Sequence, residues 1–323
     1  MANDTSNIAN TWNAPNFVGE LFCIGANKTP FVNMIGGINN GGKISSALEF
    51  DIAQPWALET AAQPAVTELA TEDAPTAITY VRDRDANTCQ FYHRKLGATY
   101  AKLATGAAVS VVTAGANTTF FVDSKKGSAV QSEIDFQVAA HLKQIAVNYE
   151  VTCLEGTYQR ATSTAVAPKS RGIVTAATTN TVDASSAALT TDLVEELLRT
   201  MAGNGAEFIE PVIFVNAFLK QKLTSLYAYA PMDRNVGGAN IKQIETDFGM
   251  IGVVWAPMLT ATTLLLADMS VCAPVFVQVP GMGLLFYEEL AKTGAAETGQ
   301  LFGIMGLDYG PEEYHGTITS IAN

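Results

Sequence analysis

The chain from residue 43 to about residue 97 alternates apolar and polar positions as β-strands do. Leu48, Phe50 and Ile52 are separated by acidic residues, and successive side chains of a strand point to opposite faces. A second strand is expected over residues 77–85. Together the two strands predict an extended hairpin.

The segment between these strands offers little core of its own, because prolines and acidic residues are frequent in it. Its acidic candidates for contact are Glu59, Glu68, Glu72 and Asp73. An extended hairpin with few self-contacts is normally stabilised by lying on another surface. We therefore expect this segment to contact a neighbouring subunit.

The return strand of the hairpin ends in four charged residues, Arg82, Asp83, Arg84 and Asp85. Strand geometry puts both arginines on one face and both aspartates on the other. Two interpretations remain open, a solvated strand edge or a strip of ion pairs between subunits. The second interpretation makes these four residues candidate inter-subunit contacts as well.

A long amphipathic helix is predicted over residues 131–156. Its apolar positions recur every three or four residues. They are Ile134, Val138, Leu142, Ile145, Tyr149 and Cys153. Gly156 is a natural C-terminal stop, and we expect the whole stripe, Leu142 included, to face the core.

The rest of the chain mixes helices and strands. Residues 172–174 look like a strand, a helix is expected to open at Asp192 with capping-box spacing to Glu195 and to end at Gly203, and a short helix is expected over residues 217–227. Further strands are expected at residues 212–215, 241–255, 264–267, 275–279, 284–290, 300–308 and 315–321. The fold class is α+β with mainly antiparallel strands.

Residues 1–45 scatter apolar side chains among Asn, Gly and Thr, which predicts an arm rather than a core. Thr29-Pro30-Phe31 predicts a turn, because proline fixes its own φ and restricts the residue before it. The first residues lack a basic region followed by an apolar stretch, so we expect no secretory signal.

The stretch from Phe248 to Ala267 carries no charge and could span a bilayer as a helix. Glycines and Pro257 interrupt it, and threonines would place hydroxyl groups in lipid. Two buried strands joined by a turn at Pro257 explain the same residues better. We therefore expect no membrane contact.

Composition favours a protein that assembles. Apolar residues make up 48% of the chain and charged residues 15%, and surplus apolar surface can be buried in a thick core or in dry subunit contacts. The net charge is −12, and the basic residues form no stripe for successive phosphates, which argues against tight nucleic-acid binding. An acidic surface still suits a container for DNA, because like charges repel.

Candidate chemistry is sparse. The four cysteines lie far apart without a C-x-x-C pair, which predicts buried thiols in a reducing cytosol. His93, His141 and His315 form no motif with a nearby Cys, Ser or Asp, and the phosphate-loop, nucleophile-elbow and zinc-protease motifs are missing. We predict no catalytic residue, no cofactor and no metal site.

The order of elements resembles the Hong Kong 97-type capsid fold of tailed phages. Local similarity is carried by Thr29-Pro30-Phe31 with Met34-Ile35-Gly36, by Phe50-Asp51, and by the run Asp247–Val254. The resemblance implies a major capsid protein, a non-enzymatic subunit that assembles with its own copies as hexamers and pentamers. The product would be the icosahedral head that encloses the double-stranded DNA genome of a tailed bacteriophage.

The resemblance also implies a division into domains. They are an N-terminal arm at 1–45, an E-loop hairpin at 46–100, a peripheral domain at 101–156 with a spine helix at 131–156, an axial domain at 157–290, and return strands of the peripheral domain at 291–323. Scaffolding, portal and decoration proteins are the further partners implied, and packaged DNA is met only by non-specific proximity. The expected location is the virion, after synthesis in the host bacterial cytoplasm.

Two alternatives stay open. An encapsulin-like nanocompartment shell uses the same fold to hold cargo enzymes. A soluble cytosolic α+β enzyme would need a deep pocket with convergent polar groups. A further expectation concerns covalent locking, which some shells of this fold achieve through a lysine of the hairpin. The segment from Ile44 to Arg94 contains no lysine, so we expect non-covalent contacts.

Overall fold

The computed structural model describes most of the chain as two sheets that share one large core. The residues described are 28–37, 42–52, 56, 62–80, 85–100, 103, 108–114, 117–123, 133–227, 243–292 and 294–322. Most strand pairs are antiparallel, as expected. Parallel pairs also occur within both sheets.

The described helices vary from one turn to more than six turns. They are α1 Pro30–Met34, α2 Glu133–Glu155, α3 Ile173–Ala176, α4 Thr191–Gly203 and α5 Ala217–Tyr227. Short 3-10 turns occur at Leu69–Thr71 and Glu312–Tyr314.

The described strands are mostly short. They are β1 Lys43–Ser45, β2 Glu49–Asp51, β3 Ala86–Thr88, β4 Gln90–Thr99, β5 Ala108–Ala114, β6 Asn117–Asp123, β7 Thr181–Asp183, β8 Pro211–Val215, β9 Gln243–Thr246, β10 Gly249–Trp255, β11 Leu264–Asp268, β12 Ala273–Val277, β13 Leu285–Glu289, β14 Ala296–Asp308 and β15 His315–Thr319.

The first sheet is built around β14, the longest strand. The order of its strands is β1-β12-β14-β13. In addition, β4 pairs with β14 along the whole length of β4. The long helix α2 packs on one face of this sheet. Tyr149 of α2 donates a 2.7 Å hydrogen bond to the Gly306 carbonyl of β14 and meets the Tyr92 ring of β4 edge-on at 5.9 Å.

The predicted long helix is confirmed, but one position of its stripe is wrong. Ile145, Tyr149 and Cys153 are buried, and Ile134 and Val138 pack at the border of the core. Leu142 is 37% exposed. No position from Glu133 to Gln144 is fully buried, so the core covers the stripe completely only from Ile145 onward.

The second sheet has the order β7-β15-β11-β8-β10-β9. Its central strand β8 is buried at every position, because one face meets the core around α2 and the other meets α4 and α5. A strand covered on both faces reads as a continuous apolar run, which is why Val212–Val215 was recognisable in the sequence.

The uncharged stretch near residue 250 forms the two predicted strands, β10 and β11. The predicted burial is confirmed for β11, which is buried at every position, but it is wrong for β10, where Met250 and Trp255 are exposed. In the described part of the chain, no helix is both long and apolar enough to cross a membrane. β10 pairs with β8 in parallel and β11 pairs with β8 in antiparallel orientation. The strands therefore flank the same neighbour.

Three local predictions need correction. Residues 173–176 form the helix α3, not a strand. Helix α4 begins earlier than Asp192, because the Thr190 hydroxyl accepts a hydrogen bond from the Leu193 backbone and caps the helix. The Thr29-Pro30-Phe31 segment opens α1, with proline in the first turn where its missing N–H costs nothing.

The N-terminal segment also belongs to the core more than its sequence indicated. Phe31 is fully buried, and Val32 and Ile35 are nearly so. The Phe31 ring meets Phe214 of β8 edge-on at 5.4 Å. Helix α1 therefore lies between α2 and the second sheet, and Phe31, Val32 and Ile35 are core rather than arm.

The boundary expected at residue 290 does not separate the two sheets. β12 and β13 precede it but pair with β14 in the first sheet. β15 follows it but lies within the second sheet, between β7 and β11. The chain crosses between the two sheets more than once, so neither sheet is formed by one continuous stretch of sequence.

Candidate assembly surface

The predicted hairpin begins where β2 pairs with β3. Its register joins Glu49 with Thr88, Phe50 with Asn87 and Asp51 with Ala86. The expected strand at 77–85 is wrong in its described part, because residues 77–80 form no ladder. The return strand starts later, at Ala86. We call residues 52–85 the protruding segment.

The protruding segment has no core of its own in its described part. All residues from 62 to 80 are exposed, and the regular structure there is one 3-10 turn, Leu69–Thr71. Chain with exposed backbone and few apolar contacts is held weakly by its own subunit. The expectation of few self-contacts is confirmed for these residues.

Apolar side chains stand out on this segment, which sequence reasoning had read mainly through its acidic residues. The exposed large side chains are Trp56, Val66, Leu69, Ile78 and Tyr80, each between 48% and 75% exposed. The rings of Trp56 and Tyr80 meet edge-on at 5.7 Å, so the two arms touch here. Exposed apolar residues that cluster in this way are typical of protein–protein contact sites.

The acidic candidates are distributed as follows. Glu68, Glu72 and Asp73 are exposed around the 3-10 turn beside Leu69. Glu59, Arg82, Asp83 and Arg84 lie outside the described residues. The three described carboxylates thus border the most exposed apolar side chain of the segment.

Asp85 is placed at the base of the hairpin, in contact with its own subunit. The Arg171 guanidinium donates to its two carboxylate oxygens at 3.2 and 2.9 Å. The Tyr309 hydroxyl donates to the same carboxylate at 2.7 Å. The Asp85 side chain is still 47% exposed, so a neighbouring subunit has access to it.

A second exposed surface lies on the first sheet, on the face opposite α2. Phe302 of β14 contacts the rings of Phe91, His93 and Phe286 at centroid distances of 6.3, 5.8 and 5.9 Å. These residues sit side by side on β4, β14 and β13. Phe91 is 44% exposed, so the aromatic group is open on its outer side.

The described titratable groups do not gather into a reactive site. Cys89, Cys153 and Cys272 are buried free thiols, as predicted, and burial raises the pKa of Cys89 to about 12. A thiol with a raised pKa is a poor nucleophile. Within the described ranges, no three His, Cys, Asp or Glu side chains come together as metal ligands would.

His315 is buried for a structural reason. Its Nδ1 accepts a hydrogen bond from the Asp268 backbone at 3.3 Å, and its Nε2 lies 2.5 Å from the Tyr309 carbonyl. Burial lowers the pKa of His315. A neutral ring that bridges two backbone groups joins β11 and β15 and serves no exposed surface.

Comparison with known proteins also points to a protein that assembles with its own copies. A sequence model of the SU10 major capsid protein family matches residues 4–322. No individually curated protein matches the chain. The solved structures compared below are 10–11% identical to the chain, so their similarity shows the fold alone.

Three solved structures illustrate the similarity. The capsid of cyanophage A-1(L) has a TM-score of 0.62 at 11% identity, covering 100% of both chains. The capsid of cyanophage P-SCSP1u has a TM-score of 0.57 at 10% identity, covering 96% of this chain and 93% of that one. The SrpI encapsulin of Synechococcus elongatus has a TM-score of 0.54 at 11% identity, covering 100% and 96%.

These neighbours share the Hong Kong 97-type capsid fold that the order of elements had implied. Fold similarity at this identity does not separate phage shells from encapsulins. The family match does, because it spans nearly the whole chain. The chain belongs to the SU10 major capsid protein family.

Proposed function

We propose that this capsid protein builds an icosahedral phage head from hexamers and pentamers, with the protruding segment reaching onto a neighbouring copy. The observation that carries the proposal is the exposure of Trp56, Val66, Leu69, Ile78 and Tyr80 on a segment without its own core. Exposed apolar side chains of this size are costly in an isolated protein, and contact with another copy removes that cost.

Burial of the segment is a sufficient driving force for assembly. Fully burying one large apolar side chain stabilises by about 1.5–3 kcal/mol, and ordering the segment consumes part of this gain. In a closed shell, each subunit places its own protruding segment on one neighbour and receives the protruding segment of another. Weak individual contacts therefore add up to a stable particle, while single misplaced subunits can still dissociate.

The domain names carry over as part of the proposal. The first sheet with α2 corresponds to the peripheral domain and its spine helix, and the second sheet with α4 and α5 corresponds to the axial domain. The interleaving of the sheets supports boundaries drawn by sheet instead of the single boundary at residue 290. Residues 46–100 keep the name E-loop, although β4 lies within the first sheet.

The remaining parts of the proposal concern contents and partners. The net charge of −12 favours a wall that repels packaged DNA, so DNA is held by enclosure rather than by specific binding. The subunit acts without catalysis and is made in the bacterial cytoplasm before it joins the virion. Scaffolding, portal and decoration proteins are the further partners that we propose.

Expression of the full chain followed by negative-stain electron microscopy tests the proposal. Closed shells, or rings of five and six subunits, are the expected result. A monodisperse monomer at high concentration would contradict it. Co-expression with the packaging proteins separates the alternatives, because a phage head gains nuclease-resistant DNA, whereas an encapsulin-like shell holds protein cargo.

A further inference from the structure

The base of the hairpin is held by a group of hydrogen bonds centred on Arg171. Its guanidinium Nη1 donates to both carboxylate oxygens of Asp85 and to the Tyr309 hydroxyl at 3.1 Å. The guanidinium carbon also lies 5.0 Å from the Tyr158 ring centroid, over its face. Charge, hydrogen bonds and ring stacking thus fix the Arg171 side chain on Asp85.

The backbone of the same residues is connected as well. Asn87 of β3 accepts a 2.8 Å hydrogen bond from the Arg171 N–H, and its amide group donates to the carbonyls of Arg171 at 3.1 Å and Leu307 at 2.7 Å. Asn87 is fully buried. Three chain segments therefore meet at one side chain, namely the hairpin, the loop before α3 and β14.

The loop that carries Arg171 is itself fixed. The Gly172 N–H donates to the Gly156 carbonyl at 2.8 Å, which ties the loop to the end of α2. A Cβ at Gly172 would overlap the Gly156 backbone nitrogen, and a Cβ at Gly156 would overlap the carbonyl oxygens of Ser170 and Thr152, so this close approach requires glycine at both positions. Arg171 is consequently presented to Asp85 from a rigid support.

The hydrogen bonds around Arg171 lie at the base of the hairpin, and a long piece of chain follows them, so a small change at the base has a large effect at the tip. The Ile52 N–H donates to the Asp85 carbonyl at 3.1 Å, and the sequence places 32 residues, 53–84, between that pair. At about 3.3 Å per residue along each arm, the tip can lie up to roughly 50 Å from the base. A rotation of about 10° at the base would then displace the tip by about 9 Å.

We propose that Arg171 is a positioning residue that sets the angle at which the hairpin leaves the subunit, and thereby where it reaches on a neighbour. This inference rests on the proposed function for its biological meaning, but the angle is a property of a single subunit. The ion pair is partly exposed, with Arg171 at 26% and Asp85 at 47%, so its effect on overall stability is small. Its effect is geometric, since the guanidinium that binds Asp85 is itself held by the Tyr309 hydroxyl and lies over the Tyr158 ring, and a lysine ammonium lacks the planar face for that stacking.

Spin labels on the unassembled subunit test the angle directly. Thr79→Cys, next to the point where the Trp56 and Tyr80 rings meet, and Glu196→Cys on α4 are both exposed positions, used in a Cys23→Ala background. The native subunit should give one narrow distance distribution. Arg171→Gln, Arg171→Lys and Tyr309→Phe should each broaden it at least twofold, whereas Arg199→Gln, which removes an exposed arginine of α4, should not.

Electron microscopy of shells from the same variants gives the second measurement. Arg171→Gln should yield a broader range of particle diameters or open sheets, with an unfolding midpoint within about 3 °C of the native subunit. Unchanged distance distributions would overturn the inference, as would a general loss of folding in all three variants. If the native chain forms no shells, the proposed function fails, while the distance measurement still decides whether Arg171 sets the angle.

Discussion

The Glu150 carboxylate accepts the backbone N–H groups of Phe31 at 3.0 Å and of Val32 at 2.8 Å. The carboxylate is fully buried. It caps the N-terminus of α1, because the Thr29 side chain at the usual capping position makes no hydrogen bond. A side chain of the long helix thereby fixes the first described segment of the chain, which also contacts Phe214 of the second sheet.

Glu150→Ala should destabilise the subunit by about 2–5 kcal/mol, because it leaves two buried backbone donors unsatisfied and opens a cavity. Denaturant unfolding of the unassembled subunit is the measurement. Glu196→Ala, at an exposed position of α4, is the matched control and should change the unfolding free energy by less than about 0.5 kcal/mol. Equal effects of the two substitutions would contradict the anchoring role.

Stability should also depend on pH through Glu150. Burial raises the pKa of its carboxyl to about 7, and the two backbone hydrogen bonds oppose this rise. A folded-state pKa above the ordinary value of 4.5 means that the folded form binds the proton more tightly. The resulting stabilisation is fully present below pH 4.5 and is lost as the pH rises through about 7.

The difference in unfolding free energy between the native subunit and Glu150→Gln isolates this contribution. It should decline from about pH 5 to pH 8, because the glutamine does not titrate. Other groups such as His315 cancel in the difference. A flat difference across this range would show that Glu150 keeps its ordinary pKa in the folded protein.

Deleting residues 57–74 should leave a folded subunit that does not form stable shells, because the described part of this tip makes few contacts to lose. Leu69→Ser should raise the concentration needed for assembly by about 10- to 150-fold, from the loss of roughly 1.5–3 kcal/mol of apolar burial. Glu68→Gln beside it separates the apolar from the acidic contribution. Retained assembly of the deletion variant with native particle stability would argue against the hairpin as a contact.

Two neighbouring positions of α2 should respond differently to a charge. Ile145 is 2% exposed and Leu142 is 37% exposed. Ile145→Asp buries an unpaired carboxylate and should prevent folding, at a cost above about 3 kcal/mol. Leu142→Asp should fold, and any defect should be seen in assembly. Similar melting temperatures of the two variants would contradict the structure of this face.

Particles should contain no covalent links between subunits, because the segment from Ile44 to Arg94 has no lysine and arginine stays protonated. Lys43, just before it, is instead paired with Asp308 at 2.5 Å. Boiled and reduced particles should migrate as one band near 34.2 kDa on a denaturing gel. A ladder of multiples would show that cross-linking occurs through other residues.

The elements that could be predicted were those with a strong local pattern. Helix α5 was placed at its observed bounds, and β8 was recognisable because both of its faces are buried. Thr190 was missed in favour of Asp192, because both residue types cap helices and the choice depends on where the backbone turns. The hairpin of β5 and β6 was not predicted, although Val, Thr and Phe, which favour strands, are frequent in it, because its apolar residues occur in adjacent pairs and do not alternate with polar ones.

The candidate site was predictable in its location but not in its chemistry. Exposed acidic residues were identified on the hairpin, whereas Trp56 and Leu69 could be assigned to the surface only once the segment was seen to lack a core. Asp85 is bound by Arg171, which is 86 positions away in the sequence, and by Tyr309, which is 224 positions away. Periodicity and spacing report on neighbours in sequence, so a single sequence carries no signal for contacts of this kind.

The position of β15 affects when the subunit can become competent to associate. Because β15 lies between β7 and β11, the second sheet stays in two parts until residues 315–319 have left the ribosome, and β4 likewise waits for β14. A nascent chain therefore cannot present a finished surface to copies translated from the same message. We expect chains whose residues 315–319 have not yet emerged to stay out of growing shells, because their second sheet is incomplete.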